Sequence, residues 1–293
     1  MAEPNFIIGG AVASGTSFLS HTIKDHPQIY LPKIMRPECG FFYKSWEFSK
    51  GKDYYLQRWF TEAKEQKAVG ERSSLYFHGD FMDVPKRIHD MYPDMKLIFC
   101  LRNPTERAYA NYRFTALCGL ENLSFQDALE QEEDREKQAT GIWAEIRPFS
   151  YRKRGQYADQ LKAFFEVFPR RQILCIKSET LSKKTPEILK QVFHFLGVDE
   201  SYMAPPQENF TSPNVKNLWV QTLLRKWLRG PKLDQITENY RKGSRTWTEK
   251  IAGWNLTEGK KPMPAEDRKR LQDFYSSHNE RLAKLLDWDV SDW

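Results

Sequence analysis

Cysteine is scarce in this chain. There are four in 293 residues, at positions 39, 100, 118 and 175, and no two form a Cys-x-x-Cys pair. That excludes a zinc ribbon and a dense disulfide framework, and it fits a reducing compartment such as the cytoplasm. Long apolar runs are missing too, and none approaches the roughly 18–20 residues of a membrane span. The six histidines show no His-Glu-x-x-His or other metal spacing, so no metal is expected. Internal repeats and low-complexity linkers are absent. The first residues carry no basic segment followed by an apolar core, so no secretory leader is expected. No helix-turn-helix, zinc-finger or RNP pattern organises the basic residues, so nucleic acid is not an expected partner.

What is present is globular composition: 40% hydrophobic and 29% charged residues, enough for one large α/β domain over 1–293. The net charge of +6 is uneven, because residues 225–270 hold 13 Lys/Arg against 6 Asp/Glu. Such a stretch is either a solvated face or an attractor of anionic ligands. The acidic block Glu130-Gln131-Glu132-Glu133-Asp134 reads as a solvated helix face.

Strand and helix signals alternate. Phe6–Gly9 is a short apolar run, followed by glycines and a helical stretch over Thr16–Lys24 that must stop before His26-Pro27. Lys96–Leu101 reads as a strand buried on both faces. Asn103-Pro104-Thr105-Glu106 then reads as a helix start, with Asn103 as N-cap, Pro104 as first helical residue and Glu106 as capping-box acid. Further helices are expected over Gly155–Phe168, Pro186–Leu196 (closed by Gly197) and Ala265–Leu286, and a strand over Gln172–Ile176. The expected fold is therefore α/β, a central parallel sheet flanked by helices. Leu218–Leu228 is an amphipathic basic helix that could lie on a membrane surface, make a subunit contact or cover an acceptor cleft.

Gly10-Ala11-Val12-Ala13-Ser14-Gly15-Thr16-Ser17 joins the first strand to the first helix with the glycine spacing of a Walker A loop. Small residues there admit an anion to the backbone N–H groups, and the helix N-terminus favours negative charge. The Walker lysine, however, is replaced by Thr16, and the strongest neighbouring strand ends in Arg102 rather than an aspartate. The loop thus points to an anion held by arginine and amides rather than a metal–triphosphate. A P-loop kinase remains the weaker alternative.

These segments, in order, resemble the sulfotransferases that use 3′-phosphoadenosine 5′-phosphosulfate (PAPS), in particular the branch with heparan sulfate sulfotransferases and their bacterial and phage relatives. Residues 6–19 resemble the 5′-phosphosulfate loop, and His26-Pro27-Gln28-Ile29 with Glu38-Cys39-Gly40-Phe41-Phe42 resembles "HP-x-I … E-x-x-FF". Gly70-Glu71-Arg72-Ser73-Ser74-Leu75-Tyr76-Phe77 resembles "GEKSPxYF", and Leu101–Tyr112 resembles the 3′-phosphate motif "LRxPxERxxSxY". The resemblance implies a P-loop-like fold and sulfuryl transfer from PAPS to an acceptor hydroxyl on a glycan, lipid or small molecule, leaving adenosine 3′,5′-bisphosphate (PAP). It implies Glu38 as general base and Arg72 near the sulfate. It places Ala13, Ser14, Gly15, Thr16 and Ser17 at the 5′-phosphosulfate, Arg102 and Ala110 at the 3′-phosphate, and Lys260 and Lys261 over the nucleotide. The resemblance also makes residues 203–258 the variable acceptor-side segment; basic residues there would suit an acidic glycan, and the aromatics a phenol or lipid alcohol.

Two positions depart from the family pattern. Ala13 stands where the family carries Lys or Arg, and losing a comparable charge-stabilising donor costs about 10²–10³ in rate. Arg72, Lys44 and Arg36 are the candidate replacements; otherwise the chain is a slow enzyme or a non-catalytic PAP-binding relative. Ala110 stands where the family has a serine, a smaller loss of about 0.5–1.5 kcal/mol. No cysteine follows Cys175, so the C-terminal disulfide of the Golgi relatives cannot form.

Overall fold

The computed structural model describes residues 2–33, 38–78, 83–206, 213–228, 247–259 and 261–293. The chain divides into two compact units. The first comprises Met1–Pro104, Gln156–Asn209 and His278–Asp292, and the second Thr105–Gly155 and Phe210–Ser277 with Trp293.

The first unit is built on a five-stranded sheet of β1 (Phe6–Gly10), β2 (Ile29–Tyr30), β3 (Ala68–Arg72), β4 (Lys96–Leu101) and β5 (Ile173–Lys177), in the order β2-β3-β1-β4-β5. Every pairing is parallel, with Phe6 opposite both Gly70 and Lys96, and Phe99 opposite Cys175. The strands alternate their side chains between two covered faces. On one face Phe6, Ile8, Ile98 and Cys100 pack with Leu19 and Ile23 of helix α1 (Thr16–Ile23) and with Leu189, Val192 and Phe193 of the helix Thr185–Leu196. On the other, Phe99 meets Phe77 at 4.7 Å and Phe164 of the helix Tyr157–Phe165 at 4.8 Å between ring centroids.

Most expected elements are found within a residue or two. Gly197 closes its helix with φ 78°, and the helix Ala265–Leu286 has the expected bounds. The helix expected over Gly155–Phe168 is shorter: a 3₁₀ turn occupies Lys153–Gly155 and the α-helix runs Tyr157–Phe165. After Arg102 the helix Pro104–Leu117 starts at proline as expected, but the Asn103 N–H donates to Glu179 Oε1 at 2.9 Å, and Glu106 pairs with Arg268.

The second unit packs Tyr109, Tyr112, Phe125, Tyr151, Leu271 and Tyr275 into one core. Here the acidic block departs from expectation. It is split between the helices Phe125–Glu130 and Glu132–Gln138, and Glu132 is fully buried rather than solvated. Its carboxylate accepts the backbone N–H of Arg152 and Lys153 and pairs with the Arg152 guanidinium.

The layered sheet makes a stability prediction. Ile98 is wholly buried in the middle of the sheet. Ile98→Ala is expected to cost about 2–5 kcal/mol, read as a lowered urea midpoint with an unchanged slope.

Candidate functional site

The loop after β1 is shaped to receive an anion. Gly15, the N-cap of α1, has φ 91°, and a Cβ there would come within 3.2 Å of Ser178 Oγ. That conformation belongs to glycine. Ala13 also adopts a left-handed φ of 62°. No side chain caps α1. Its first N–H groups and the helix dipole therefore face the loop with no capping side chain among the described residues, an arrangement suited to an anion. Ser14 and Thr16 are buried in the loop, whereas Ser17 is half-buried.

Arg102 lies at the end of β4, in the same unit as this loop. Its Nη1 donates to the Ala13 carbonyl at 3.2 Å, and its own carbonyl accepts from the Tyr157 hydroxyl at 2.8 Å. The strand end is thus braced by Tyr157 and, one residue on, by Glu179. Neither brace was singled out from the sequence, because both come from elements more than fifty residues away.

Strand β3 delivers the other half of the site. Period-two alternation sends Arg72 to one side and Glu71 to the opposite side. Arg72 Nη1 donates to Ser17 Oγ at 2.9 Å and to Glu38 Oε1 at 2.6 Å. The Glu38 carboxylate also accepts from the Ser74 N–H at 2.7 Å and from the Ser74 hydroxyl, at 2.8 Å to Oε2. Glu38 and Arg72 therefore meet beside the loop after β1, with Arg72 bridging Ser17 and the Glu38 carboxylate. Ser74 lies inside a quoted motif but had no assigned role; its spacing from Arg72 is the signal that could have found it.

The other candidate cations separate clearly. Lys44 Nζ donates to the carbonyls of Glu38 and Cys39 at 3.1 and 2.8 Å, so it clamps the loop backbone rather than facing the phosphate loop. Arg36 and Lys260 lie outside the described residues. Ala110 and Lys261 belong to the second unit; Lys261 is exposed and donates its N–H to Asn214 Oδ1 at 3.2 Å. The basic helix Leu218–Leu228 is formed, with Gln221, Leu224 and Leu228 buried and Trp219 and Trp227 exposed. Among the described residues no helix is long and apolar enough to cross a membrane, and no cluster of His, Cys, Asp or Glu could hold a metal ion.

Residues 3–286 match the family model described as the sulfotransferase domain. The chain is 27% identical over 291 residues to the mouse bifunctional heparan sulfate N-deacetylase/N-sulfotransferase 4, covering 97% of this chain and 30% of that protein. It thus spans under a third of the length of that relative. Among solved structures, a sulfotransferase from Alicyclobacillus acidocaldarius is 25% identical, with a TM-score of 0.73 over 100% of this chain and 99% of that one. The mouse sulfotransferase SULT7A1 in complex with PAP shares the fold at 12% identity, with a TM-score of 0.50 over 94% of this chain and 84% of that one.

Burial pushes the Cys39 thiol well above its usual range, and the neighbouring Glu71 carboxylate adds to this. The thiolate is the reactive form. Iodoacetamide at pH 8 should therefore leave Cys39 unmodified in the folded protein and alkylate it in urea, as read by peptide mass.

Proposed function

Since this chain belongs to the sulfotransferase-domain family, we propose that it moves a sulfuryl group from PAPS to an acceptor hydroxyl by in-line displacement. Glu38 acts as general base and Arg72 as the cation at the reacting centre. The observation that carries this reading is the double contact of Arg72, which joins Ser17 of the phosphate loop to Glu38.

The acceptor oxygen forms its bond to sulfur as the bond from sulfur to the 5′-phosphate oxygen breaks. The hydroxyl proton passes to Glu38, and PAP departs with the electron pair. Negative charge grows on the departing phosphate, so the barrier depends on positive groups already in place. The open amides of α1, Ser17 and Arg72 supply them at the 5′ end, and Arg102 supplies them at the 3′-phosphate. This chemistry draws on no metal.

Arg72 answers the loss of a cation at Ala13. It keeps a full charge, presents two forked donors and already touches the loop. Lys44 is unsuited to the task because its ammonium is spent on two carbonyls. Glu38 keeps capacity for a substrate proton, since a carboxylate has about four acceptor sites and the pair with Arg72 and Ser74 leaves room for one more donor.

The acceptor is a hydroxyl compound, with an acidic glycan favoured by the basic stretch over 225–270. An amine acceptor is the second reading, favoured by the likeness over 97% of the chain to a protein named for N-sulfotransfer. The exposed Trp219 and Trp227 beside Lys226 support contact of Leu218–Leu228 with a membrane surface. The four free thiols support a reducing compartment such as the cytoplasm.

Two substitutions separate the roles. Glu38→Gln should lower the transfer rate by about 10²–10⁴-fold, the usual reach of a general base, and leave PAP affinity nearly unchanged. Arg102→Ala should weaken PAP binding by about 10–100-fold, the worth of a charge-assisted contact, and hardly affect binding of adenosine 5′-phosphate. Titration calorimetry with both nucleotides and a sulfate-release assay read the two effects. Loss of PAP binding in Glu38→Gln would remove Glu38 from the chemistry.

A further inference from the structure

Behind the Arg72–Glu38 pair sits a second carboxylate that the chemistry above does not use. Glu71 is fully buried. Its Oε1 accepts from the hydroxyls of Tyr55 and Tyr76, each at 2.8 Å, and its Oε2 from the Ser73 hydroxyl at 2.6 Å. The Cys39 thiol donates to it as well. Four neutral donors hold this carboxylate, and no basic side chain among the described residues pairs with it. Burial raises its pKa, against the pull of the hydroxyls.

Two of those hydroxyls do a second job. The Gly40 N–H donates to Ser73 Oγ at 2.7 Å, and the Phe42 N–H donates to the Tyr76 oxygen at 3.2 Å. Each hydroxyl has a single proton. Because an ionised carboxylate can only accept, both hydroxyls must aim that proton at Glu71. Their lone pairs then face the two backbone N–H groups. With Cys39 bound directly, Glu71 reaches three residues of the turn that follows Glu38. That turn is a demanding one: Gly40 has φ 62°, and a Cβ there would lie 2.7 Å from the Tyr43 ring and 2.8 Å from the Lys44 side chain.

We propose that Glu71 is the positioning residue for the general base, acting through Ser73 and Tyr76 on the turn that carries Glu38. The assignment rests on the sulfotransferase reading for its kinetic consequence, though not for the hydrogen-bond relay itself. Adjacent residues of β3 divide the work. Arg72 and Ser74 grip the Glu38 carboxylate, while Glu71 and Ser73 grip the backbone behind it.

The isosteric change Glu71→Gln tests this. A carboxamide turns one accepting edge into a donor, so either Ser73 or Tyr76 must turn its proton away from residue 71, which costs it that buried acceptor and disturbs the lone pair facing the backbone N–H. A base displaced by a fraction of an ångström should cost about 10–100-fold in kcat, while the KM for PAPS and PAP affinity stay within about 2-fold. Tyr55→Phe removes a Glu71 contact but no tie to the turn, and should keep kcat within about 3-fold. Amide hydrogen exchange gives a readout independent of activity: Glu71→Gln should speed exchange at Gly40 and Phe42 by about 10-fold or more and leave Ile8 and Leu97 unchanged. Ser73→Ala removes the Gly40 tie together with the Ser73 bond to Glu71, leaves the Tyr76 tie to Phe42, and carries the same comparison at the Gly40 amide if Glu71→Gln does not fold. Wild-type exchange at Gly40 in Glu71→Gln and Ser73→Ala would overturn the proposal, as would a loss of PAP affinity in Glu71→Gln equal to its loss of kcat. If the wild-type chain transferred no sulfate, the sulfotransferase reading would fall, and the exchange rates would still decide whether Glu71 holds the turn.

Discussion

The ion pair between Arg72 and Glu38 is the contact around which the first unit is arranged. The Arg72 side chain is 5% exposed and that of Glu38 21%, so both charges are largely removed from water. Such a pair repays its desolvation only when the remaining donors and acceptors are met. Ser17 takes a second hydrogen bond from the same Nη1 of Arg72, and Ser74 meets the carboxylate. Three parts of the chain far apart in sequence are thereby tied together: the start of α1, the turn after Glu38 and the end of β3. The parallel sheet makes this possible, because β1 and β3 are neighbours and both end at the same edge.

The same arrangement bears on the proposed donor site, whose loop has Ala13 where the family carries Lys or Arg. Ala13 presents only its carbonyl, and Arg102 takes it. Positive charge reaches the loop from the adjacent strand instead, through Arg72. Lys44 is nearby in sequence to Glu38 but serves the backbone, binding the two carbonyls that precede Gly40. Proximity along the chain is thus a poor guide to which cation faces a ligand; the direction in which a strand points its side chains decides it.

Much of the fold was legible because hydropathy announced it. β1, β4 and β5 are apolar runs, the helix Thr185–Leu196 carries its own glycine stop, and the loop glycines mark the strand-to-helix turn. β3 was not legible as a strand. Its sequence, Ala-Val-Gly-Glu-Arg, is no continuous apolar run and ends in two charges, yet all five residues are buried. They are buried because partners distant in the chain satisfy them: Tyr55, Tyr76 and Ser73 for Glu71, and Glu38 with Ser17 for Arg72. Glu132 was misread for the same reason, since the backbone N–H groups that neutralise it lie some twenty residues on. Of the site, Glu38, Arg72, Arg102 and the loop were visible in motif order. Tyr157, Glu179 and the relay through Glu71 became visible only as geometry, whereas Ser74 lay within a motif and lacked only a role.

The central claim is that this fold holds a nucleotide by a 3′-phosphate at Arg102 and a 5′-phosphate at the loop before α1, with charge supplied by arginine rather than a metal. A thermal-shift titration of the whole chain with PAP, beside magnesium–ATP and adenosine 5′-phosphate, tests it most directly. A ligand at 100 times its dissociation constant stabilises by about 2.7 kcal/mol, which is several degrees for most domains. A clear shift with PAP, a smaller one with adenosine 5′-phosphate and none specific to magnesium–ATP are expected. A shift with magnesium–ATP and not with PAP would contradict that claim.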